Sequence, residues 1–186
     1  MIKGNYYKAY KVSSTKSAID AFYNIYNEWG SPILLQEHID GEEINLAGIA
    51  NGKGDLKGAV AIKKLTTTDL GKVWLGLTIK NDLLLLTAQK FTKQTKWQGA
   101  FELECIVNND GIYMIEINPR FPAWVHLATK LGINLPKMLI KIIQNKNFET
   151  KLDYPISKIY VRFVDETIDD FDEYKNLILN KETKEK

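Results

Sequence analysis

Apolar residues recur every three or four positions through residues 15–29, where Ile19, Phe22, Ile25 and Tyr26 make a stripe. Ser14 precedes the stripe as a cap, Gly30 follows it as a stop and Pro32 restarts the chain. The pattern therefore predicts a helix over 15–29 with that stripe packed into a core. Beyond it the period changes to two, and strands are expected over 33–38, 43–50, 56–64 and 73–79, with a tight turn at Asn51-Gly52-Lys53-Gly54. A helix is expected over 83–95. Two alternating runs, 101–107 and 114–118, flank Asn108-Asn109-Asp110-Gly111, a hairpin signal that makes them antiparallel neighbours. Helices near 124–131 and 135–145, interrupted by Gly132 and Pro136, a late strand over 156–164 and a charge-rich end with a weak stripe at Phe171, Tyr174, Leu177 and Ile178 complete a mixed α+β pattern.

The hairpin carries candidate chemistry. Side chains two apart share a strand face, so Phe101, Leu103, Cys105 and Val107 take one face and Glu102, Glu104 and Ile106 the other. In the second run Ile115 and Ile117 are expected in the core, with Met114, Glu116 and Asn118 opposite. Glu104 and Glu116 then meet across the pair, and adjacent carboxylates repel unless a hard cation takes their oxygens. Magnesium carrying nucleotide phosphates suits that role. Glu102 is expected on the solvent face, as charged residues of antiparallel sheets ordinarily are. Glu116-Ile117-Asn118-Pro119-Arg120 gathers an acid, an amide and a guanidinium, and Pro119 ends the strand because it cannot donate to the ladder. One segment thus offers metal ligands and a bidentate phosphate clamp.

Glu116-Ile117-Asn118-Pro119-Arg120, with an acid on the neighbouring strand, resembles the metal site of ATP-grasp proteins. The following Phe121-Pro122-Ala123-Trp124 is similar to carbamoyl-phosphate-synthase-like and carboxylate–amine-ligase-like members. The resemblance runs from about residue 3 to about residue 143 and rests on four blocks in the family's order. The second block, ILLQEHIDGEEINLAGIA at 33–50, resembles the hinge beneath the adenine ring. It implies main-chain contacts to adenine at Glu37 and Ile39, an adenine-edge contact from the Gln36 amide where the family often has Glu, and ribose binding by Glu43. The third, Ile2-Lys3-Gly4, resembles the strand whose Lys reaches the phosphates ahead of a glycine-containing loop. The fourth, Ala59-Val60-Ala61-Ile62-Lys63-Lys64, ends in two cations on opposite faces, either of which can meet the triphosphate. The resemblance implies ATP and Mg²⁺ as cofactors, Glu104, Glu116 and Asn118 as metal ligands, and Arg120 and Lys3 against transferring charge. The implied activity is a ligase that makes an acylphosphate from a carboxylate, for attack by an amine or ammonia. The alternative is a non-catalytic nucleotide-binding or structural subunit that completes a partner chain's site.

Composition narrows the rest. With 186 residues, 45% of them hydrophobic, the chain can bury a real core. The division expected is a nucleotide-lid subdomain over 1–65, a metal-binding core over 66–164 and a charged tail over 165–186. A net charge of +2 with scattered lysines makes nucleic acid a poor partner. The single cysteine, Cys105, excludes an intramolecular disulfide and fits a cytoplasmic setting. His38 and His126 have no partners at zinc spacing. The longest wholly apolar run, 83–86, is too short for a membrane span, and neither a membrane span nor a signal peptide is expected. The family ordinarily carries a preceding αβ domain, which the sequence is expected to lack. An excised portion, one half of a split gene or a remnant would each account for that. Self-association or pairing with a separately encoded N-terminal chain is expected in turn, with Trp124 as an exposed aromatic in a weaker adaptor reading.

Overall fold

Residues 44–50 are buried without a break, and that run sets the architecture. The computed structural model describes residues 9–68, 71–163, 168, 170–172 and 175. In chain order it holds α1 (Thr15–Trp29), β1 (Glu42–Asn51), β2 (Leu56–Thr67), β3 (Val73–Ile79), α2 (Asp82–Thr95), β4 (Gln98–Asn108), β5 (Gly111–Asn118), α3 (Val125–Lys130), α4 (Leu135–Ile143) and β6 (Ile159–Val161). The strands form one antiparallel six-stranded sheet in the order β5-β4-β1-β2-β3-β6, so the fold is α+β as expected. The expected division at residue 65 falls inside β2, and both expected units share this sheet.

Both faces of β1 are covered, which is why its sequence does not alternate between apolar and polar. One face joins Leu84, Ala88 and Phe91 of α2 to Ile44, Leu46, Phe101, Leu103 and Cys105. The other joins Leu127 and Ala128 of α3 and Leu135 and Met138 of α4 to Ala47, Ile49, Val60 and Ile62. Close approach is built into each contact. A Cβ at Gly48 would lie 2.5 Å from Phe101 Cζ, and one at Gly58 would lie 2.7 Å from Met138 Sδ. Tyr154 fastens the later chain to the sheet: its hydroxyl accepts from Ala61 N and donates to Ile79 O, each at 2.8 Å.

Several helix ends follow local chemistry. The Ser14 hydroxyl accepts from Ser17 N and the Ser17 hydroxyl reaches back to the Ser14 backbone, a capping box that starts α1 at the expected residue. Gly30, in the left-handed region at φ 77°, closes it by donating to Tyr26 O. Asn81 and Asn134 cap α2 and α4 in the same way.

Four expectations need correction. The α1 stripe is not core: Ala21 is the helix's buried residue, while Ile19, Phe22 and Tyr26 are exposed and Ile25 is half-buried, because among the described residues no sheet face lies against the helix. Residues 33–38 form no strand. Leu34 and Leu35 are 83% and 80% exposed, and an apolar run without a covering neighbour has nothing to hold it extended. Ile115 and Ile117 are exposed rather than core, because β5 is an edge strand; a register shift between Glu104 and Cys105 also sets Met114 opposite Cys105. The late strand shortens to β6, because residues 155–158 bend around Thr78, which donates to Pro155 O at 3.2 Å and accepts from Lys158 N at 2.8 Å. Residue 164 and most of the tail stripe lie outside the described residues.

Gly48→Ala would drive a methyl into the Phe101 ring at the centre of the sheet. The expected loss is about 1–3 kcal/mol, the usual cost of overpacking. Urea unfolding at equilibrium checks it, and an unchanged midpoint would mean that the ring moves aside freely.

Candidate functional site

Strand register delivers polar groups to one place. The pairs Asn45↔Glu104, Ala47↔Glu102, Glu102↔Asn118 and Glu104↔Glu116 put all of these on the sheet face that α3 and α4 cover. Glu43 and Lys64 join them by alternation along β1 and β2. The apolar layer of Ala47, Ile49, Val60 and Ile62 lies beside this polar group on the same face. Low dielectric at its edge strengthens each charge–charge interaction relative to open water.

The side chains form one connected network. The Lys64 ammonium donates to Glu104 Oε2 at 2.7 Å and also to Glu43 Oε1. Asn118 Nδ2 donates to Glu104 Oε1 at 3.0 Å, and Asn118 Oδ1 accepts from Arg120 Nη2 at 3.2 Å. Arg120 Nη1 lies 3.5 Å from Glu102 Oε2. Glu102 Oε1 accepts from Asn45 Nδ2 at 2.8 Å and from Trp124 Nε1 at 2.9 Å. Asn45 Oδ1 is buried and accepts no hydrogen bond among the described residues. Burial lowers the Lys64 ammonium, but its hydrogen bonds and charge pairing with Glu104 and Glu43 outweigh this and raise it above its ordinary value. For Glu102 burial dominates: it raises the carboxyl above the ordinary glutamate range, the hydrogen bonds from Asn45 and Trp124 offset part of this, and the Glu104 charge adds to it.

The structure separates the two candidate lysines. The Lys64 side chain is 5% exposed and sits among the carboxylates. Lys63 pairs in register with Ile44, on the α2 face, and its ammonium is 2.5 Å from Glu42 Oε1. Glu104, Glu116 and Asn118 share one sheet face with Glu43, and Arg120 joins them through Asn118. The hinge candidates are not drawn in: Gln36 and Glu37 are exposed and Ile39 is half-buried, on an irregular segment. That segment is held at its end, where Asp40 O accepts from Asn108 Nδ2 at 3.1 Å and a Cβ on Gly41 would meet Val107 O at 2.5 Å. Lys3 lies outside the described residues.

Three residues of the network were misplaced or unnoticed in the sequence. Glu102, expected on the solvent face, is 3% exposed. Trp124, which only the weaker adaptor reading takes as exposed, is buried and supplies its indole N–H to Glu102. Asn45 carried a readable signal, since it is the one polar side chain in the apolar run INLAGIA.

Among the described residues no three His, Cys, Asp or Glu side chains gather as a metal-binding group. Glu104, Glu116 and Asn118 nevertheless form an all-oxygen set. Such a set suits a hard cation that completes its coordination with phosphate and water oxygens.

The six-stranded antiparallel sheet thus carries helices on both faces and an acid–amide–Arg cluster at the end of β5. The fold is shared with a biotin carboxylase from Campylobacter jejuni, solved as a complex with β-γ-ATP, at a TM-score of 0.53 and 17% identity over 72% of this chain and 32% of that one. The family model described as ATP-grasp in the biosynthetic pathway with Ter operon matches residues 30–167, and the chain belongs to that family. Curated relatives include a tyramine–L-glutamate ligase from Methanocaldococcus jannaschii, 29% identical over 138 residues, and a carbamoyl phosphate synthase large chain from Clostridium acetobutylicum, 24% identical over 126 residues. These matches cover 72% and 63% of this chain but 44% and 12% of those proteins.

Because the folded protein raises the Glu102 carboxyl above its unfolded value, ionising it costs stability. That cost is absent below the ordinary glutamate range and grows as pH rises from there through the folded value. Glu102→Gln is expected to flatten the fall in melting temperature across that window. Thermal melts from about pH 4 to about pH 8 check it, and a variant that declines as steeply as the wild type would assign the slope to other groups.

Proposed function

We propose that this chain supplies the nucleotide- and metal-holding part of a ligase that joins a carboxylate to an amine or ammonia, with ATP and Mg²⁺ as cofactors. The observation that carries the reading is the cross-strand pair Glu104–Glu116, joined through Asn118 to Arg120 and flanked by Lys64. In this reading Glu104, Glu116 and Asn118 hold the metal, which when bound neutralises phosphate charge and aligns the transferring group. Arg120 and Lys64 hold phosphate oxygens and stabilise charge as it shifts in the transfer, with Lys3 as a further candidate from the sequence. Glu43 accepts from the vicinal ribose hydroxyls, since Lys64 engages its Oε1 and leaves Oε2 to do so. Gln36 and the main chain at Glu37 and Ile39 are the candidates for adenine.

The reaction assigned to this site is attack of a substrate carboxylate oxygen on the γ-phosphorus of ATP, breaking its bond to the bridging oxygen with ADP as the leaving group; the amine then attacks the acyl carbon of the acylphosphate, phosphate leaves and the amine loses a proton. The protein needs no nucleophile of its own for this; alignment and charge neutralisation carry the catalysis. A cytoplasmic protein fits these substrates. None of the described helices is long and apolar enough to cross a membrane. The chain spans less than half of these curated relatives' length, and the acceptor-binding residues are sought outside the stretch it shares with them.

Glu116→Gln is expected to abolish Mg-ATP binding while leaving the fold intact or slightly more stable, because it relieves repulsion from Glu104. Calorimetric titration decides, and unchanged affinity would remove Glu116 from the metal site. Glu43→Ala should weaken ATP binding by about 1–3 kcal/mol and narrow any preference for ATP over its dideoxy-ribose analogue. Equal losses for the two nucleotides would place Glu43 outside the ribose pocket.

A further inference from the structure

In the chain without nucleotide, the oxygens that suit a metal are already taken by the protein's own cations and N–H groups. Glu104 Oε2 accepts from Lys64, Glu104 Oε1 from Asn118 Nδ2, and Asn118 Oδ1 from Arg120. Of the three candidate ligands, Glu116 alone has no hydrogen bond or ion pair among the described residues. One exposed carboxylate is a poor magnesium site, because the ion gives up hydration water reluctantly. Lys64 is no casual surface neighbour: its side chain is 5% exposed, and both its contacts are carboxylates of this cluster.

We propose that Lys64 is a guard on the metal ligands, so that the site takes a divalent cation only together with a nucleotide polyphosphate. The inference rests on the metal and phosphate roles proposed above and adds an order and a specificity to them. A polyphosphate offers Lys64 and Arg120 new anionic acceptors on the same face. When Lys64 shifts from Glu104 to a phosphate oxygen, Glu104 Oε2 is freed. When Arg120 does the same, Asn118 Oδ1 is freed. The released oxygens would then be open to a hard cation. The two ligands therefore bind with positive coupling, and by linkage the metal must raise nucleotide affinity by the factor by which the nucleotide raises metal affinity. A cation without phosphate must compete with an ammonium that is held in place by two carboxylates. Free divalent metal is thus rejected by charge occupancy rather than by cavity size.

Mn²⁺, whose free and bound forms differ in their electron paramagnetic resonance signal, reports this directly without turnover. Wild-type protein is expected to leave Mn²⁺ free in solution and to bind it at least about tenfold more tightly once metal-free ADP is added, within the usual range of coupling between sites. Lys64→Met, checked for folding by circular dichroism, should bind Mn²⁺ without nucleotide about tenfold more tightly than the wild type and should lose most of the ADP effect. Equal Mn²⁺ affinity of the wild type with and without ADP, where calorimetry shows that ADP binds, would overturn the guard, and that comparison needs no variant. A folded Lys64→Met with no gain in Mn²⁺ affinity would overturn it as well. If ADP does not bind at all but Lys64→Met still gains Mn²⁺, Lys64 does hold the ligands closed and the nucleotide reading is what fails. If Mg-ATP binds in calorimetry and Lys64→Met gains nothing, the nucleotide reading stands and the guard fails.

Discussion

Four carboxylates on one face of adjacent strands are the constraint around which this molecule is organised. Glu43, Glu102, Glu104 and Glu116 stand on β1, β4 and β5 in register, and without compensation their repulsion would oppose the pairing that places them. Two cations and three neutral donors answer it. Lys64 bridges Glu43 and Glu104, Arg120 lies between Asn118 and Glu102, and Asn45 and Trp124 hold the buried Glu102 oxygen. Glu102 is the most deeply buried of the four, and there a charge left without its partners is far more costly than at a surface.

The same network ties the site to the fold. Trp124 is both the residue that opens α3 and a hydrogen-bond donor to β4, so the helix that covers this sheet face is registered by the Glu102 carboxylate. Pro119 ends β5, and two residues later the chain has already turned toward α3. On the opposite face α2 packs Leu84, Ala88 and Phe91 onto Phe101, Leu103 and Cys105. There burial, together with the nearby Glu104 charge, pushes the Cys105 thiol up to about 11 and keeps it protonated. Both faces of the central strands therefore carry an apolar core, and the α3–α4 face also holds the network of Glu43, Glu102, Glu104 and Lys64.

Away from the sheet the chain is less covered. The α1 stripe and Leu34–Leu35 are exposed, and the segment expected to lie under an adenine ring is irregular until Asp40 and Gly41 fasten it beside the β4–β5 turn. The family match begins at residue 30, so α1 lies outside it while the irregular segment lies inside. The strand predicted at 33–38 had the composition of a strand but no neighbour to pair with, and an isolated strand leaves its backbone groups to water.

The sequence by itself determined the grouping of residues. Alternation put Glu104 opposite Glu116, the Asn108–Gly111 turn made their strands neighbours, and Ser14 and Gly30 marked both ends of α1, because period, turn and cap chemistry are local. The motif at 116–120, together with three further blocks, was enough to identify the family. Tertiary structure decided which groups of residues are covered. Alternation says that Lys63 and Lys64 face opposite ways, but only the sheet's neighbours make Lys64 the buried one. Glu102 became a core carboxylate because Trp124 arrives from a helix 22 residues later, and the α1 stripe stayed outside because no face lies against it. A strand or helix pattern fixes which side chains point together; what lies opposite them depends on contacts distant in sequence, which no local period encodes.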